Sequence, residues 1–400
     1  MNTEKYIYRL KEVANIGAGN SAPQNKELFK NGIYPFIRTS DVGKIHLGSI
    51  SESRDKLNEE GIKGLKFFKK GTILFPKSGA STFLNHRVIM EIDGYVASHL
   101  ATIKAKEDLL DDRYLLYFLQ TLDSRSLVLD SDYPSLKLVT IQDIELYLPP
   151  LSVQKKIVEK LDAAFADIDK AISATEKNIE NAESMASIYS QDVFNSLEDS
   201  FQTISLDQVC VVDRGSSPRP IKKFITNEST GINWIKIGDI AEGDKYVVNT
   251  KQKITIEGSK KSRKVEKGDL ILTNSMSYGR PYIMAIDGCI HDGWFVLRLK
   301  EGILTDYFFH LMSSPFVQKQ FHSLAAGAVV KNISGDLLKK TKVIIPSIKK
   351  QTETIERLEK LSKEIYQIKE IYNNKLKNLT ALKSSILNKA FSGELTKDAA

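Results

Sequence analysis

Gly17-Ala18-Gly19-Asn20-Ser21-Ala22 has the spacing of a dinucleotide-binding turn, with Ala in the last place. Such a turn must follow a strand and open a helix whose N-terminus meets a pyrophosphate. Here Pro23 follows at once and the next residues are polar, so a Gly/Ser/Pro loop after the first strand is the better reading. The chain has no phosphate-cradling loop ending in Gly-Lys-Ser/Thr, no Asn-Pro-Pro-Tyr or Asp-Pro-Pro-Tyr tetrad and no Gly-x-Ser-x-Gly elbow. ATP-driven work, adenine methylation and serine-nucleophile hydrolysis therefore lack their usual residues. The six histidines (46, 86, 99, 291, 310 and 322) form no pair at metal-ligand spacing. A zinc site of the usual types is not expected. Asp41 and Asp239 recur at related places but without catalytic partners, and read as turn or cap residues. With no catalytic constellation and no cofactor indicated, a binding protein is the leading class.

The 400 residues are 42% hydrophobic and 27% charged, which excludes a collagenous or wholly disordered chain. No apolar run approaches the roughly 18 residues of a membrane span, and the N-terminus lacks the apolar core of a signal peptide. Two cysteines, Cys210 and Cys289, exclude a disulfide framework and point to a reducing cytoplasm. The net charge of +7 fits a nucleic-acid partner without proving one.

What positions any binding residue is an internal repeat. Leu148-Pro149-Pro150-Leu151-Ser152-Val153-Gln154 and Ile345-Pro346-Ser347-Ile348-Lys349-Lys350-Gln351 each precede a long helical pattern. One offset aligns Pro149 with Pro346, Gln154 with Gln351, Leu161 with Leu358 and Phe194 with Phe391, without a gap. Upstream, Phe36 to Val42 matches Trp234 to Ile240, Lys70-Gly71 matches Lys267-Gly268, and Asp93-Gly94 matches Asp287-Gly288. The chain is two tandem copies of one unit: a mixed α/β globule, then a long helix. Short apolar runs such as Thr72–Phe75 and Leu270–Leu272 predict buried strands, and Asp111–Leu122 and Thr305–Met312 predict helices. The fold class is α+β. The expected boundaries are a globule over 1–150, a helix over 151–198, a globule over 199–346, a helix over 347–395 and a tail over 396–400.

Both long helices carry a heptad seam. Leu161, Ile168 and Tyr189 lie on it in the first, with Leu358, Ile365, Tyr372, Leu379 and Ile386 in the second. Apolar spacing of this kind over five heptads, with no Pro or Gly, argues for a coiled coil. The alternative is two amphipathic helices lying on their own globules. The first helix carries a net −4 and the second a net +4, which favours pairing with each other over self-pairing. The globules carry +1 and +6.

Two variable globules alternating with two similar long helices, each introduced by a Pro-Pro-Leu-x-x-Gln-like segment, resemble the specificity subunit of type I restriction–modification systems. The likeness spans about residues 1 to 395. Its most specific piece is Leu148 to Leu161, and the ending Leu387-Asn388-Lys389-Ala390-Phe391-Ser392-Gly393-Glu394-Leu395 is also typical. The second copy departs from the pattern, with Ser347 for Pro150 and Lys350 for Val153. The resemblance implies a subunit without catalysis of its own and without a cofactor. Each globule would read one half of a bipartite site on double-stranded DNA. The helices would pack antiparallel, hold the globules apart and dock two DNA adenine methyltransferase subunits, with motor-nuclease subunits joining for restriction. The alternatives are a stand-alone DNA-binding coiled-coil protein, the specificity module of a fused restriction–methylation enzyme, or an enzyme proper with the globules as catalytic domains.

Base readout takes Arg, Lys, Asn, Gln or Ser/Thr on exposed elements, while other Lys and Arg hold phosphates. In the second globule such groups are Arg219, Lys222 and Lys223, and then Asn274, Ser275, Tyr278 and Arg280. The matching stretch of the first holds Lys77, Ser78, Asn85 and Arg87. His86 reads as a packing or surface residue, and Lys331 and Asn332 are weaker candidates.

Overall fold

A computed structural model describes residues 6–45, 47–128, 135–241, 243–274, 279–325 and 333–392. The chain divides into two compact units, one of residues 1–175 with 374–400 and the other of residues 176–373. Each unit therefore holds one globule and a part of each long helix.

In the first unit, a five-stranded sheet runs in the order Ala14–Ala18, Leu100–Ala105, Ile73–Pro76, Arg87–Met90, Leu47–Ile50. In the second, the order is Cys210–Arg214, Trp294–Leu299, Leu270–Thr273, Pro281–Met284, Tyr246–Val247. These are the same topology strand for strand, with a parallel pairing at the last edge of each sheet. The central runs Ile73–Pro76 and Leu270–Thr273 are buried along their whole length, as four-residue apolar strands between covered faces must be. A second sheet stands beside the first in each globule, three-stranded around Tyr34–Ile37 in one unit and five-stranded around Ile232–Ile235 in the other. Asp41 and Asp239 accept from the backbone N–H of Arg38 and Lys236, both at 2.9 Å, so the cap assignment holds. Asp93 and Asp287 repeat another bond, accepting from Lys70 N and Lys267 N at 2.7 and 2.8 Å.

The first strand absorbs Gly17 and Ala18, so the glycine stretch is strand rather than loop up to Gly19. A Cβ on Gly19 would lie 2.3 Å from the Ala97 carbonyl, and one on Gly215 would lie 2.0 Å from the His291 carbonyl. Glycine stands at both places because the two sheets of each globule meet there. Its role is close packing, not phosphate binding.

Globule helices Asp112–Gln120 and Thr305–Ser313 lie against the sheets. Tyr114 Oη donates to the Tyr147 carbonyl and Tyr307 Oη to the Ile344 carbonyl. A further helix, Pro315–Ala325, follows in the second unit, and the sequence pattern did not announce it.

The long helices are Leu151–Glu198 and Ile348–Phe391. Lys383 pairs with Asp169 in the first unit and Lys369 with Glu183 in the second. Moving forward along the first helix moves the partner backward along the second, so they run antiparallel. Leu161, Phe165 and Ile168 are buried with Leu387 and Ala390 in the first core. Phe194, Leu197 and Leu358 are buried in the second. Ile365, Tyr372, Leu379 and Ile386 are half-buried, while Tyr189 is 39% exposed.

The buried Gln154 and Gln351 explain the shared motif. Gln154 Oε1 accepts from Asp111 N, and its Nε2 donates to the carbonyls of Leu109 and Pro149. Gln351 does the same with Leu304 N, Gly302 and Pro346. One amide thus ties the start of each long helix to the loop before the globule helix. The far ends are fastened alike. Phe194 packs 6.0 Å from the Tyr307 ring, and Phe391 packs 5.0 Å from Tyr114 and 5.7 Å from Phe118.

Candidate nucleic-acid interface

In the first unit, the buried strand Ile73–Pro76 ends in a loop that must turn back into Arg87–Met90. Gly79 (φ +75°) and Asn85 (φ +54°) take the left-handed conformations that bracket the 3-10 turn Ala80–Leu84. Lys77 and Ser78 leave the strand half-buried. Lys77 donates its N–H to the His99 carbonyl and accepts from Leu136 N, while Ser78 bridges to Ser135. Asn85 Oδ1 accepts from Ser124 N at 2.8 Å, and its Nδ2 donates to Asp123 at 3.2 Å. The Arg125 backbone N–H and the Asn85 amide hold the Asp123 carboxyl below its ordinary range.

Arg87 is wholly buried rather than presented to solvent. Its guanidinium lies 3.4 Å from the centroid of the Phe75 ring. Nη1 donates to the His86 carbonyl at 2.9 Å and Nη2 to Ser124 Oγ at 2.8 Å, while Nε has no hydrogen-bond partner among the described residues. Burial draws its pKa down to about 9. His86 contacts the Val42 carbonyl through Nδ1, in keeping with a packing role.

The second unit assembles its candidates around Asp292. Asn274 is buried, and its Nδ2 donates to the Asp292 carbonyl at 2.8 Å. Ser217 Oγ donates to Asp292 Oδ1 at 2.6 Å, and Arg219 Nη2 lies 3.7 Å from Oδ2. The Ser217 hydroxyl foremost, with His291 and Arg219 adding their charge, holds the Asp292 carboxyl below its ordinary range. Ser217, Arg219 and Asn274 therefore meet at Asp292, a junction that neither stretch of sequence reveals alone. Arg219, Lys222 and Lys223 are exposed there. Arg280 is half-buried, with its N–H donated to Thr273 Oγ1 at 3.0 Å. Gly279 takes φ +83° beside Phe321, and Gln318 Nε2 donates to its carbonyl at 2.7 Å. Ser275, Tyr278, Lys331 and Asn332 lie outside the described residues.

The loops occupy equivalent places. Asn274 matches Lys77: it donates its N–H to the Gly293 carbonyl and accepts from Ile333 N. The two globules thus present loops of different composition on one frame. Asp123, Ser124, Asp292 and Gln318, which shape these loops, escaped the sequence reading because they are distant in the chain and lie in no motif. Among the described residues, no group of three or more His, Cys, Asp or Glu is placed to hold a metal, and no helix is long and apolar enough to cross a membrane. Cys210 and Cys289 are free and buried, their thiols pushed up to about 12 and about 11 by desolvation.

The family model of the type I restriction modification DNA specificity domain matches twice, over residues 2–181 and 198–378. The chain belongs to this family. The two matches coincide with the repeat, each taking in a specificity domain and most or part of the helix after it. Among characterised relatives, the EcoBI type I specificity subunit of Escherichia coli is 26% identical, over 96% of this chain and 85% of its own. A putative type I specificity subunit of Haemophilus influenzae is 22% identical, over 88% and 86%. A chain solved in a study of assembly and conformational transition of a type I R-M system shares the fold, with a TM-score of 0.72 and 17% identity over 96% and 97%. The HsdS subunit of Thermoanaerobacter tengcongensis follows, with a TM-score of 0.51 and 18% identity over 97% and 96%. The chain is a target-recognition subunit of the type I specificity class, with two specificity domains.

Proposed function

We propose that this subunit reads a bipartite target on double-stranded DNA, one half-site per globule, and directs partner methyltransferase and restriction subunits to it without catalysing a reaction itself. The observation that carries this is the pairing of a shared frame with non-identical loops: the main sheets share strand order and place equivalent loops, and the loops differ in most candidate positions, Lys77 against Asn274 and Arg87 against Pro281, while Ser78 matches Ser275 in sequence. The functional division follows the expected boundaries, with recognition globules over 1–150 and 199–346 and connecting helices over 151–198 and 347–395. Arg219, Lys222, Lys223 and Arg280, with Ser275 and Tyr278, are the candidates in the second globule. Lys77, Ser78 and Asn85 are those in the first, where Arg87 acts from beneath.

The helices also leave large apolar side chains in water. Met185 and Ile188 are 67% and 61% exposed, and Tyr366 and Ile371 are 66% and 65% exposed, all in the second unit. Apolar groups in such number on a helix pair suit a protein partner better than solvent. This supports a subunit that carries methyltransferases over a stand-alone DNA binder. Two free, buried thiols suit a reducing cytoplasm.

Co-expression with the cognate methyltransferase subunits, followed by methylome sequencing, tests the proposal. A bipartite methylated sequence that vanishes when this chain is omitted is the expected result. The purified chain alone should incorporate no labelled methyl group and cut no DNA, and either activity would overturn the non-catalytic assignment. Ile188→Asp with Ile371→Asp should abolish co-purification of the methyltransferase while leaving DNA binding by the chain intact.

A further inference from the structure

We infer that Arg87 is a positioning residue for sequence readout, a buried fork that fixes two loops of the first globule as a single reading surface. The inference rests on the proposal that this globule reads a half-site. Its basis is where the guanidinium sends its bonds. Nη1 holds the His86 carbonyl, at the end of the loop after Ile73–Pro76, and Nη2 holds Ser124 Oγ in the turn Ser124–Leu127. Asn85 reinforces the same junction, accepting from Ser124 N and donating to Asp123.

A core role alone does not account for the residue. Burying a cation with no carboxylate in direct contact is costly, because the field of nearby Asp123 only partly offsets its desolvation, and an apolar side chain of similar volume fills a core at least as well. Among the described residues, the groups that Arg87 touches are a carbonyl, a hydroxyl and an aromatic face, and its Nε has no hydrogen-bond partner. The second globule places Pro281 at the same strand position and fastens its loop through Gln318 and Asp292 instead. The frame therefore does not require an arginine here, whereas the loop geometry of this one globule does. Stacking on Phe75 holds the guanidinium plane, so both bonds have fixed directions.

The experiment uses the full chain with its methyltransferase subunits, and measures binding to a cognate duplex, to duplexes altered in either half-site and to a scrambled duplex. Arg87→Met keeps most of the volume and loses both donors. It should lower discrimination at one half-site about tenfold or more, the loss expected of misplaced base contacts. Discrimination at the other half-site, affinity for scrambled DNA and the salt slope should not change. Arg87→Lys keeps the charge without the fork and should lose discrimination similarly. Ser124→Ala removes one acceptor and should lose less. Unchanged discrimination in these variants overturns the inference. So does equal weakening on every duplex with a smaller salt slope, because that would make Arg87 a direct phosphate contact. Should Arg87→Met fail to fold, Ser124→Ala and Asn85→Ala decide the matter on the same readout. If the unaltered chain itself discriminates neither half-site, the proposed function fails, and it does so separately from the role of Arg87.

Discussion

The two globules solve one folding problem twice and one recognition problem in two ways. Their main sheets share strand order. Their helix starts share a buried glutamine with three backbone bonds, and their globule helices share a tyrosine bonded to the same strand. Where the loops leave this frame, the likeness stops. In the first globule the loop is pinned from below by a buried arginine. In the second it is pinned from the side by Gln318 and by Asp292. Contacts that recur must serve the frame, and contacts that do not recur mark where each globule is specialised.

The contrast extends to the junction with the long helices. In the first unit Arg113 and Asp162 form a direct ion pair at 2.8 Å. In the second unit the corresponding positions are both acidic, Asp306 and Glu359. Lys245 bridges them at 2.5 and 2.7 Å. An ionic link stands at the same place in both units, although its residues differ and the charge at the Arg113 position is reversed.

The largest expected effect breaks the comparison at the level of whole globules. Replacing residues 199–346 with another recognition domain, joined to the unchanged helices, should change one half of the methylated sequence completely and leave the other half as it was. Methylation mapping reads this directly. A change in both halves would show that the globules are not independent readers.

Acid should separate the units next. His310 is half-buried against Glu359, Asp306 and Lys245, with its Nε2 3.8 Å from a Glu359 carboxylate oxygen. Desolvation first, and then Lys245, pull its pKa down to about 4, against an ordinary 6.5. The unfolded chain therefore takes up the proton first as pH falls. Stability is complete above about 6.5 and declines through the window down to about 4, by on the order of 3 kcal/mol at most. The counterpart in the first unit is Tyr117, whose hydroxyl burial pushes up, far from this window. Hydrogen exchange in Thr305–Ser313 should thus accelerate in acid more than exchange in Asp112–Gln120, and His310→Phe should remove the difference.

The glutamines should instead behave alike. Gln154→Ala and Gln351→Ala each leave buried backbone groups unpaired, at a cost of about 1–3 kcal/mol. Exchange should rise at Leu109–Asp111 in one variant and at Gly302–Leu304 in the other, by similar factors. Unequal responses would mean that the shared geometry hides different energetics.

The frame was legible in the sequence because its parts repeat. Gln154 and Gln351, Asp41 and Asp239, and the Lys-Gly turns at 70–71 and 267–268 could be aligned with nothing but spacing, and all mark equivalent structure. The loops were legible in position but not in detail. Arg87 and Asn274 carry the residue types of base readers, yet both lie inside the fold. Residue type alone does not distinguish an arginine that faces solvent from one stacked under a loop. Asp292 and Ser124 act through contacts closed only by folding, which no local pattern encodes. Of the seam, Leu161, Ile168 and Leu358 are buried as a heptad requires. Tyr189, on the same row, is more open because each helix part also packs on a globule and the apolar stripe turns toward it.

The smallest expected effect concerns charge. The second globule carries a net +6 against +1 for the first, so its share of phosphate contact should be the larger. Lys222 and Lys223 are exposed in the short turn after Pro220, beside the surface organised by Asp292. A lysine acts on DNA chiefly as a point charge. Lys223→Ala should therefore weaken binding by about 1 kcal/mol or less on cognate and scrambled duplexes alike, and reduce the salt slope by about 0.9. Arg280→Ala is the informative contrast. If its guanidinium meets a base, the loss is about 1–3 kcal/mol and confined to one position of one half-site. Titrations at two salt concentrations with matched and mismatched duplexes distinguish them. Equal, sequence-independent losses for Lys223→Ala and Arg280→Ala would make the basic face of the second globule a phosphate clamp, and would move its sequence readout to other side chains of the same loop.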